Sequence, residues 1–194
     1  MQVAIVKRSF FGDPHCGDEC AYWQSDGKAI LCIADGLGHG EEAEQAAQAA
    51  VDYVARHLAQ PLADIFAGCD RALHRTRGVT MGIAVIDKEA ETLTYAGVGN
   101  PRAMIVRGAP PVVCLSNNYG IVGGGYRKLT PETVELHPGD LVILTSDGIK
   151  ERCDVLAYGE MLHGNVHRLA ERILHDWGRE TDDVAVLVFR NEEV

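Results

Sequence analysis

Cys32-Ile33-Ala34-Asp35-Gly36-Leu37-Gly38-His39-Gly40 carries an apolar strand straight into an aspartate and then through three alternating glycines. An aspartate at the mouth of a buried strand, beside backbone that glycine lets bend tightly, suits a metal ion better than a core. The theme recurs along the chain. Leu141 to Ser146 is another apolar strand that ends in Asp147-Gly148, and Asp182-Asp183 stands immediately before the apolar strand Val184 to Phe189. Three acidic sites at strand ends can converge on one sheet edge.

Working outward from this turn, Ala21 to Gln24, the turn Ser25-Asp26-Gly27-Lys28 and Ala29 to Ala34 read as a hairpin. Asp18 enters one strand and Asp35 leaves the next, so antiparallel pairing brings their carboxylates to the same end. Upstream, Gln2 to Lys7 reads as an opening strand, and Phe11 to Glu19, with two glycines, a proline and three acids, as irregular chain. Downstream, Ala43, Ala47, Ala50, Val51, Val54 and Leu58 follow helical spacing from Glu41 to Leu58, and Glu41, Glu42 and Glu44 complement the helix N-terminus. Pro61 opens a second helix running to about Arg75. Thr80 to Ile86, Glu91 to Val98, Arg102 to Val106, Val112 to Leu115, Thr133 to Leu136 and Leu141 to Thr145 form a run of short strands that reads as an antiparallel meander. Asn117 to Arg127, with Gly123-Gly124-Gly125, reads as a mobile loop able to cover a site. A last helix spans Asn165 to Trp177 and is ended by Gly178. Strand groups interrupted by paired helices predict an α+β layered fold with antiparallel sheets flanked by helices.

The 194 residues fit a single domain spanning 1–194. Apolar residues make up 46% and charged residues 24%, an ordinary globular balance. No apolar run reaches the roughly 18 to 20 residues needed to span a bilayer, and Met1 to Val6 reads as a strand rather than a signal peptide, so a cytoplasmic protein without a membrane partner is expected. The net charge of -10 repels phosphate backbones, which argues against a nucleic-acid partner. The six cysteines are scattered and form no Cys-x-x-Cys pair, so they read as reduced, mostly buried thiols. His15, Cys16 and Cys20 resemble half a zinc site, but no second half has matching spacing.

An isolated Asp-Gly after a strand is a common turn. A set is different, because Asp18, Asp35, Asp147 and Asp182 all sit at element boundaries and would repel one another unless a cation neutralised them. Oxygen ligands without histidine or thiolate partners favour Mg2+ or Mn2+. Two such ions can bind a phosphoryl group and activate water for in-line attack, which is phosphoester hydrolysis. Competing chemistries find no support. There is no G-x-S-x-G elbow, no H-E-x-x-H and no cysteine in a phosphate-loop setting. A dinucleotide loop fails on spacing, since the third glycine would fall at Glu41, and on charge, since Asp35 would face the pyrophosphate.

Asp35-Gly36-Leu37-Gly38-His39-Gly40, Arg77-Gly78-Val79-Thr80-Met81, Val98-Gly99-Asn100, Thr145-Ser146-Asp147-Gly148 and Asp182-Asp183-Val184-Ala185 occur in the order seen in the metal-dependent serine/threonine phosphatases of the protein phosphatase 2C (PPM) superfamily. Over nearly its whole length the chain resembles the compact bacterial SpoIIE-like branch, most of all its RsbX type, a free catalytic domain. The resemblance implies a four-layer α-β-β-α sandwich of two antiparallel sheets, with two Mn2+ or Mg2+ ions at one edge. It implies catalytic roles for Asp35 and Asp147. Asp35 would bridge the ions, the Gly36 carbonyl would bind one, and Asp147 and Asp182 would complete the second. Asp18 would fill the early acidic position, with Glu19 beside it. Asp182 matches the terminal ligand better than Asp183, which is the runner-up. His39, Thr80 and Asn100 are candidates to line the site, and Glu151 or Asp154 to contact a third ion, although solvation is the simpler role for those two.

Two departures stand out. The eukaryotic branch has a histidine directly after the Asp-Gly pair, a proposed general acid, where this chain has Leu37; His39 lies two residues further on. It also has a phosphate-gripping arginine before the early acidic motif, where this chain reads Asp13-Pro14-His15-Cys16, leaving Arg8 or Arg102 as substitutes. The resemblance implies a monomeric hydrolase that removes phosphate from serine or threonine on STAS-domain proteins of a stressosome-like complex and so ends a stress signal. The alternatives are an RsbU- or SpoIIE-type phosphatase acting on an anti-anti-sigma factor, and a pseudophosphatase binding module.

Overall fold

The computed structural model describes residues 2–107 and 110–192. Its strands are β1 (Gln2–Arg8), β2 (Asp18–Ser25), β3 (Lys28–Gly36), β4 (Val79–Asp87), β5 (Thr92–Val98), β6 (Arg102–Val106), β7 (Val113–Leu115), β8 (Gly120–Ile121), β9 (Gly125–Tyr126), β10 (Glu132–Glu135), β11 (Leu141–Thr145) and β12 (Val184–Arg190). Its α-helices are α1 (Glu41–Ala55), α2 (Leu62–Ala72) and α3 (Val166–Trp177). Two five-stranded antiparallel sheets form, ordered β1-β12-β11-β6-β7 and β10-β5-β4-β3-β2.

Three apolar layers hold the four layers of structure together. Between the sheets pack Leu31, Ile33, Ile86, Leu93, Tyr95, Ile105, Val142, Leu144, Leu187 and Phe189. On the outer face of the second sheet, α1 and α2 bury Ala47, Val54, Ile65 and Phe66 against Cys32, Met81 and Ile83. On the outer face of the first, α3 lays Leu169, Ala170 and Ile173 over Ile143, Val186 and Val188. The alternation along each strand, one side chain to a helix and the next to the opposite sheet, yields the α-β-β-α sandwich expected from the sequence. Among the described residues no helix is long and apolar enough to cross a membrane.

The β2–β3 hairpin turns on Asp26 and Gly27, both at positive φ (51° and 75°), as a tight two-residue hairpin turn requires. Four details differ from the sequence reading. β2 starts at Asp18, inside the stretch read as irregular, because that stretch donates its last two residues to the pairing with β3. The meander is split between the sheets: β10 pairs with β5, whereas β11 pairs with β6 and β12, so His137 to Asp140 crosses from one sheet to the other. Residues 117–127 are tied down rather than free. Val122 is fully buried and exchanges backbone hydrogen bonds with Val79, Asn118 does so with Gly97 and Gly99, and β8 pairs with β9. Gly178 does end α3, but at φ -65° rather than in the left-handed region. Its role is steric, since a Cβ there would lie 2.4 Å from the Leu174 carbonyl oxygen.

Candidate active site

The inward faces of the strands change character at one end of the sandwich. Along β3 the side chains facing the other sheet are Ala29, Leu31, Ile33 and then Asp35; along β2 they are Tyr22, Cys20 and then Asp18. β4 follows the same rhythm and ends in Thr80, the register partner of Asp35. From the opposing sheet, Val142 and Leu144 on β11 lead to Ser146, and Leu187 and Ala185 on β12 lead to Asp183. The apolar seam between the sheets therefore terminates in a polar cluster fed by both.

Contacts across the seam lock the cluster together. Asp18 and Asp35 are cross-strand register partners. Asp18 accepts a hydrogen bond from the Ser146 hydroxyl, which in turn accepts from the Ala185 N–H at 3.0 Å. Asp35 and Asp147 are joined by a carboxyl–carboxylate hydrogen bond, and Asn100 Nδ2 donates to Asp147 Oδ2 at 2.6 Å. Each sheet thus supplies a partner for each central aspartate.

Burial and mutual repulsion raise the carboxyl pKa values here. Asp35 is pushed far above the carboxylate range by desolvation and then by the charges of Asp18, Asp147 and Asp182. Asp18 is raised by desolvation, against the Ser146 hydrogen bond, with Asp183, Asp147 and Asp182 adding repulsion. Asp182 is raised by partial burial and by Asp147, while Arg179 pulls it down. Carboxylates forced together in this way are stabilised by a bound cation.

The donor set fits a hard divalent ion. Asp18 Oδ2 and the Thr80 hydroxyl are buried without a hydrogen-bond partner. All the donors are oxygens, as Mg2+ or Mn2+ prefers. Among the described residues no three acidic, histidine or cysteine side chains alone close around one ion. Completing a shell therefore falls to main-chain carbonyls and water, which suits a small ion that retains waters. The Gly36 carbonyl lies at the end of β3 beside Asp35, where α1 packs so closely that a Cβ on Gly36 would fall 2.1 Å from the Ala43 carbonyl oxygen.

The remaining candidates separate. Asp183 is buried, and its two oxygens accept from the Phe10 N–H (2.8 Å) and the Gly17 N–H (2.9 Å), tying the β1–β2 connection to β12. Asp182 is partly exposed and makes a local hydrogen bond to the Asp183 N–H. Glu19 points to the face opposite Asp18 and pairs with Lys7 at 2.7 Å. The His39 ring stacks on Phe10 with centroids 5.0 Å apart. Asp154 caps the 3-10 segment Val155–His163 through the Leu156 N–H, and Glu151 lines a cavity with Asp147 and Asp182. The half zinc site does not assemble: His15 pairs with Glu44 at 2.6 Å and Cys20 lies in the core between the sheets.

Three contributors escaped the sequence reading. Ser146 was visible only as part of a motif, yet it is the bridge to Asp18. Arg77 donates through Nε to Glu42 at 2.7 Å and through Nη1 to the Leu37 and His39 carbonyls at 3.5 and 3.4 Å, clamping the 37–40 turn between α1 and β4. Arg179 enters the same cavity as Asp147 and Asp182. The quoted motifs contain Ser146 and Arg77 without giving either a role, and no local pattern marks a lone arginine such as Arg179 as part of a site.

The chain matches the family model for Stage II sporulation protein E (SpoIIE) over residues 25–192. Phosphoserine phosphatase RsbX of Bacillus subtilis (strain 168) is 27% identical over 150 residues, which is 77% of this chain and 75% of RsbX. A solved structure from work on the bacterial stressosome, described as a modular system adapted to control secondary messenger signaling, is 32% identical with a TM-score of 0.90, covering 96% of this chain and 97% of its own. RsbX in complex with magnesium has the same fold, with a TM-score of 0.83 at 23% identity over 96% of this chain and 92% of RsbX. The chain belongs to the SpoIIE family, and it is a PP2C-type phosphatase, a hydrolase.

Proposed function

We propose that this phosphatase is a single catalytic domain that depends on Mn2+ or Mg2+ and releases phosphate from serine or threonine on a partner protein. In this reading Asp18, Asp35, the Gly36 carbonyl, Asp147 and Asp182 hold two ions. Asp183 is left to structural work, because both its oxygens already serve main-chain donors. The observation that carries the proposal is the meeting of Asp18 and Asp35 from one sheet with Asp147 from the other, where burial and mutual repulsion disfavour the charged forms of Asp18 and Asp35.

When bound, the ions neutralise the cluster and lower the pKa of water within it. The chain's own residues set the geometry. Asn100 fixes the Asp147 carboxylate, Ser146 fixes Asp18, and Arg77 fixes the turn that follows Gly36. Thr80 offers a buried hydroxyl on the strand beside Asp35. Leu37 stands where a leaving-group acid would be expected from the eukaryotic branch, and His39 is turned onto Phe10. The leaving oxygen is therefore expected to take its proton from water.

The substrates proposed are phosphorylated STAS-domain proteins of a stressosome-like complex in the cytoplasm, with a monomeric enzyme acting on them. Similarity to RsbX and to the stressosome-associated structure supports this. The test measures phosphate release from p-nitrophenyl phosphate with manganese, magnesium or chelator, for the wild type and Asp35→Asn. Metal-independent turnover, or full activity of the variant, would overturn the metal reading. Rates on phosphorylated STAS proteins from the same genome then test the substrate, and equal rates on unrelated phosphoproteins would remove it.

A further inference from the structure

Three arginines stand on the Asp147 side of the cluster, and two of them are committed to main-chain carbonyls. Arg8 Nη2 donates to the Arg179 carbonyl at 2.8 Å. Arg102 donates through Nη1 to the Lys150 carbonyl at 3.1 Å and through Nη2 to the Ile149 carbonyl. Both therefore spend donors on holding main chain.

Arg179 is built the other way round, with a fixed main chain and an unengaged head. Its N–H donates to the Gly148 carbonyl at 2.8 Å, its carbonyl is held by Arg8, and the Lys150 N–H donates to the Trp177 carbonyl at 2.9 Å. An isolated bridge pairs Ile149 with Gly178. The segment after α3 is thereby zipped to the loop that carries Asp147. Gly178 is required in this arrangement, because a Cβ there would lie 2.4 Å from the Leu174 carbonyl oxygen, with Arg8 Nη2 also close at 2.9 Å. Among the described residues no hydrogen bond or ion pair engages the Arg179 guanidinium. It opens into a cavity of about 240 Å³ shared with Asn100, Arg102, Asp147, Glu151 and Asp182.

We propose that Arg179 grips the phosphoryl oxygens of the phosphate monoester substrate in this cavity. The inference rests on the phosphatase reading above. A guanidinium fork matches a phosphate dianion in shape and charge. An anion entering beside Asp147, Asp182 and Glu151 is repelled unless cations face it, and of the two arginines lining the cavity Arg179 is the one whose guanidinium holds no main chain.

The experiment uses the full chain with manganese and compares wild type, Arg179→Lys and Arg179→Ala. It reads kcat and KM on p-nitrophenyl phosphate, the inhibition constant of inorganic phosphate, and the manganese-induced rise in Tm. Arg179→Ala is expected to raise KM and the phosphate inhibition constant in parallel by about tenfold or more, as for loss of a charge-assisted contact. The manganese-induced rise in Tm should persist, and Arg179→Lys should recover part of the loss. An unchanged phosphate inhibition constant, a defect confined to kcat, or loss of the manganese response in Arg179→Ala would each overturn the assignment. If the wild type shows no metal-dependent turnover, which sinks the metal reading, calorimetric titration of inorganic phosphate into the full chain, wild type against Arg179→Ala, reads the same contact, and equal affinities there would overturn the assignment.

Discussion

Asp18 and Asp35 are register partners at the open end of the β2–β3 hairpin, side by side on the face that looks toward the opposite sheet. Like charges directly opposite on paired strands destabilise a sheet. Here the pair is also buried, and one Asp18 oxygen lacks any partner. A fold that retains this arrangement carries a cost that a divalent cation would remove, and that cost is measurable.

The metal-free protein should lose stability as pH rises. Asp18 and Asp35 have folded-state pKa values raised above those of the unfolded chain, chiefly by burial. The folded state then holds protons that the unfolded state releases near pH 4, so their contribution is complete below about pH 4 and lost as pH climbs through the raised values, about 7 for Asp18 and about 9 for Asp35. Thermal denaturation with chelator from pH 5 to 9 should show a falling Tm, and added manganese should raise Tm more at the alkaline end. Asp35→Asn should raise the chelated Tm by several degrees, given about 2–4 °C per kcal/mol for a chain this size, and should abolish the manganese response. A chelated Tm independent of pH would contradict the raised pKa values.

The two adjacent terminal aspartates should part company on mutation. Asp182→Asn removes a carboxylate that makes one local hydrogen bond, so stability should change little while the manganese requirement rises and activity falls at least tenfold. Asp183→Asn keeps one acceptor oxygen for two main-chain donors, Phe10 and Gly17, and should cost about 1–3 kcal/mol in urea unfolding. Reversal of the two phenotypes would make Asp183 the ligand.

The sequence displayed the acids of this site because they stand at strand ends, where the alternation of apolar residues stops. It even carried the Asp18–Asp35 pairing, since a two-residue turn with Asp26 and Gly27 fixes the hairpin register along its whole length. What stayed hidden depends on long-range approach. The crossing of His137–Asp140 between sheets, the pinning of Val122 against Val79 and the placement of Arg179 beside Asp147 are set by packing between segments far apart in the chain. The face on which Glu19 lies follows from β2 beginning at Asp18, three residues before the strand start read from the sequence, a boundary that turn-rich flanking residues obscure.

Ser146 couples the two sheets through one hydroxyl, donating to Asp18 and accepting from the Ala185 N–H. It is fully buried, so Ser146→Ala strands a donor on β12 and an acceptor on β2. The expected cost is about 1–3 kcal/mol, measured by urea denaturation. Manganese affinity should weaken by about 10–100-fold, as when a ligand loses its supporting hydrogen bond. Unchanged affinity would mean that Asp18 is held by the ion alone.

Gly36 tests whether α1 and the candidate site form one unit. A Cβ at this position would lie 2.1 Å from the Ala43 carbonyl oxygen and 2.9 Å from Ala43 Cα, main-chain atoms in the first turn of α1 that cannot swing aside as a side chain tip can. Gly36→Ala must therefore push α1 from the end of β3 or displace the Gly36 carbonyl. Overpacking of this kind costs about 1–3 kcal/mol. Gly124→Ala is the matched control, because its nearest neighbours are Ile121 side-chain atoms at 3.3 Å. Gly36→Ala should lower Tm and lose both manganese-induced stabilisation and turnover, whereas Gly124→Ala should retain both. Full manganese binding by a destabilised Gly36→Ala would show that the carbonyl at this turn is not a ligand, leaving the aspartates to hold the ions without it.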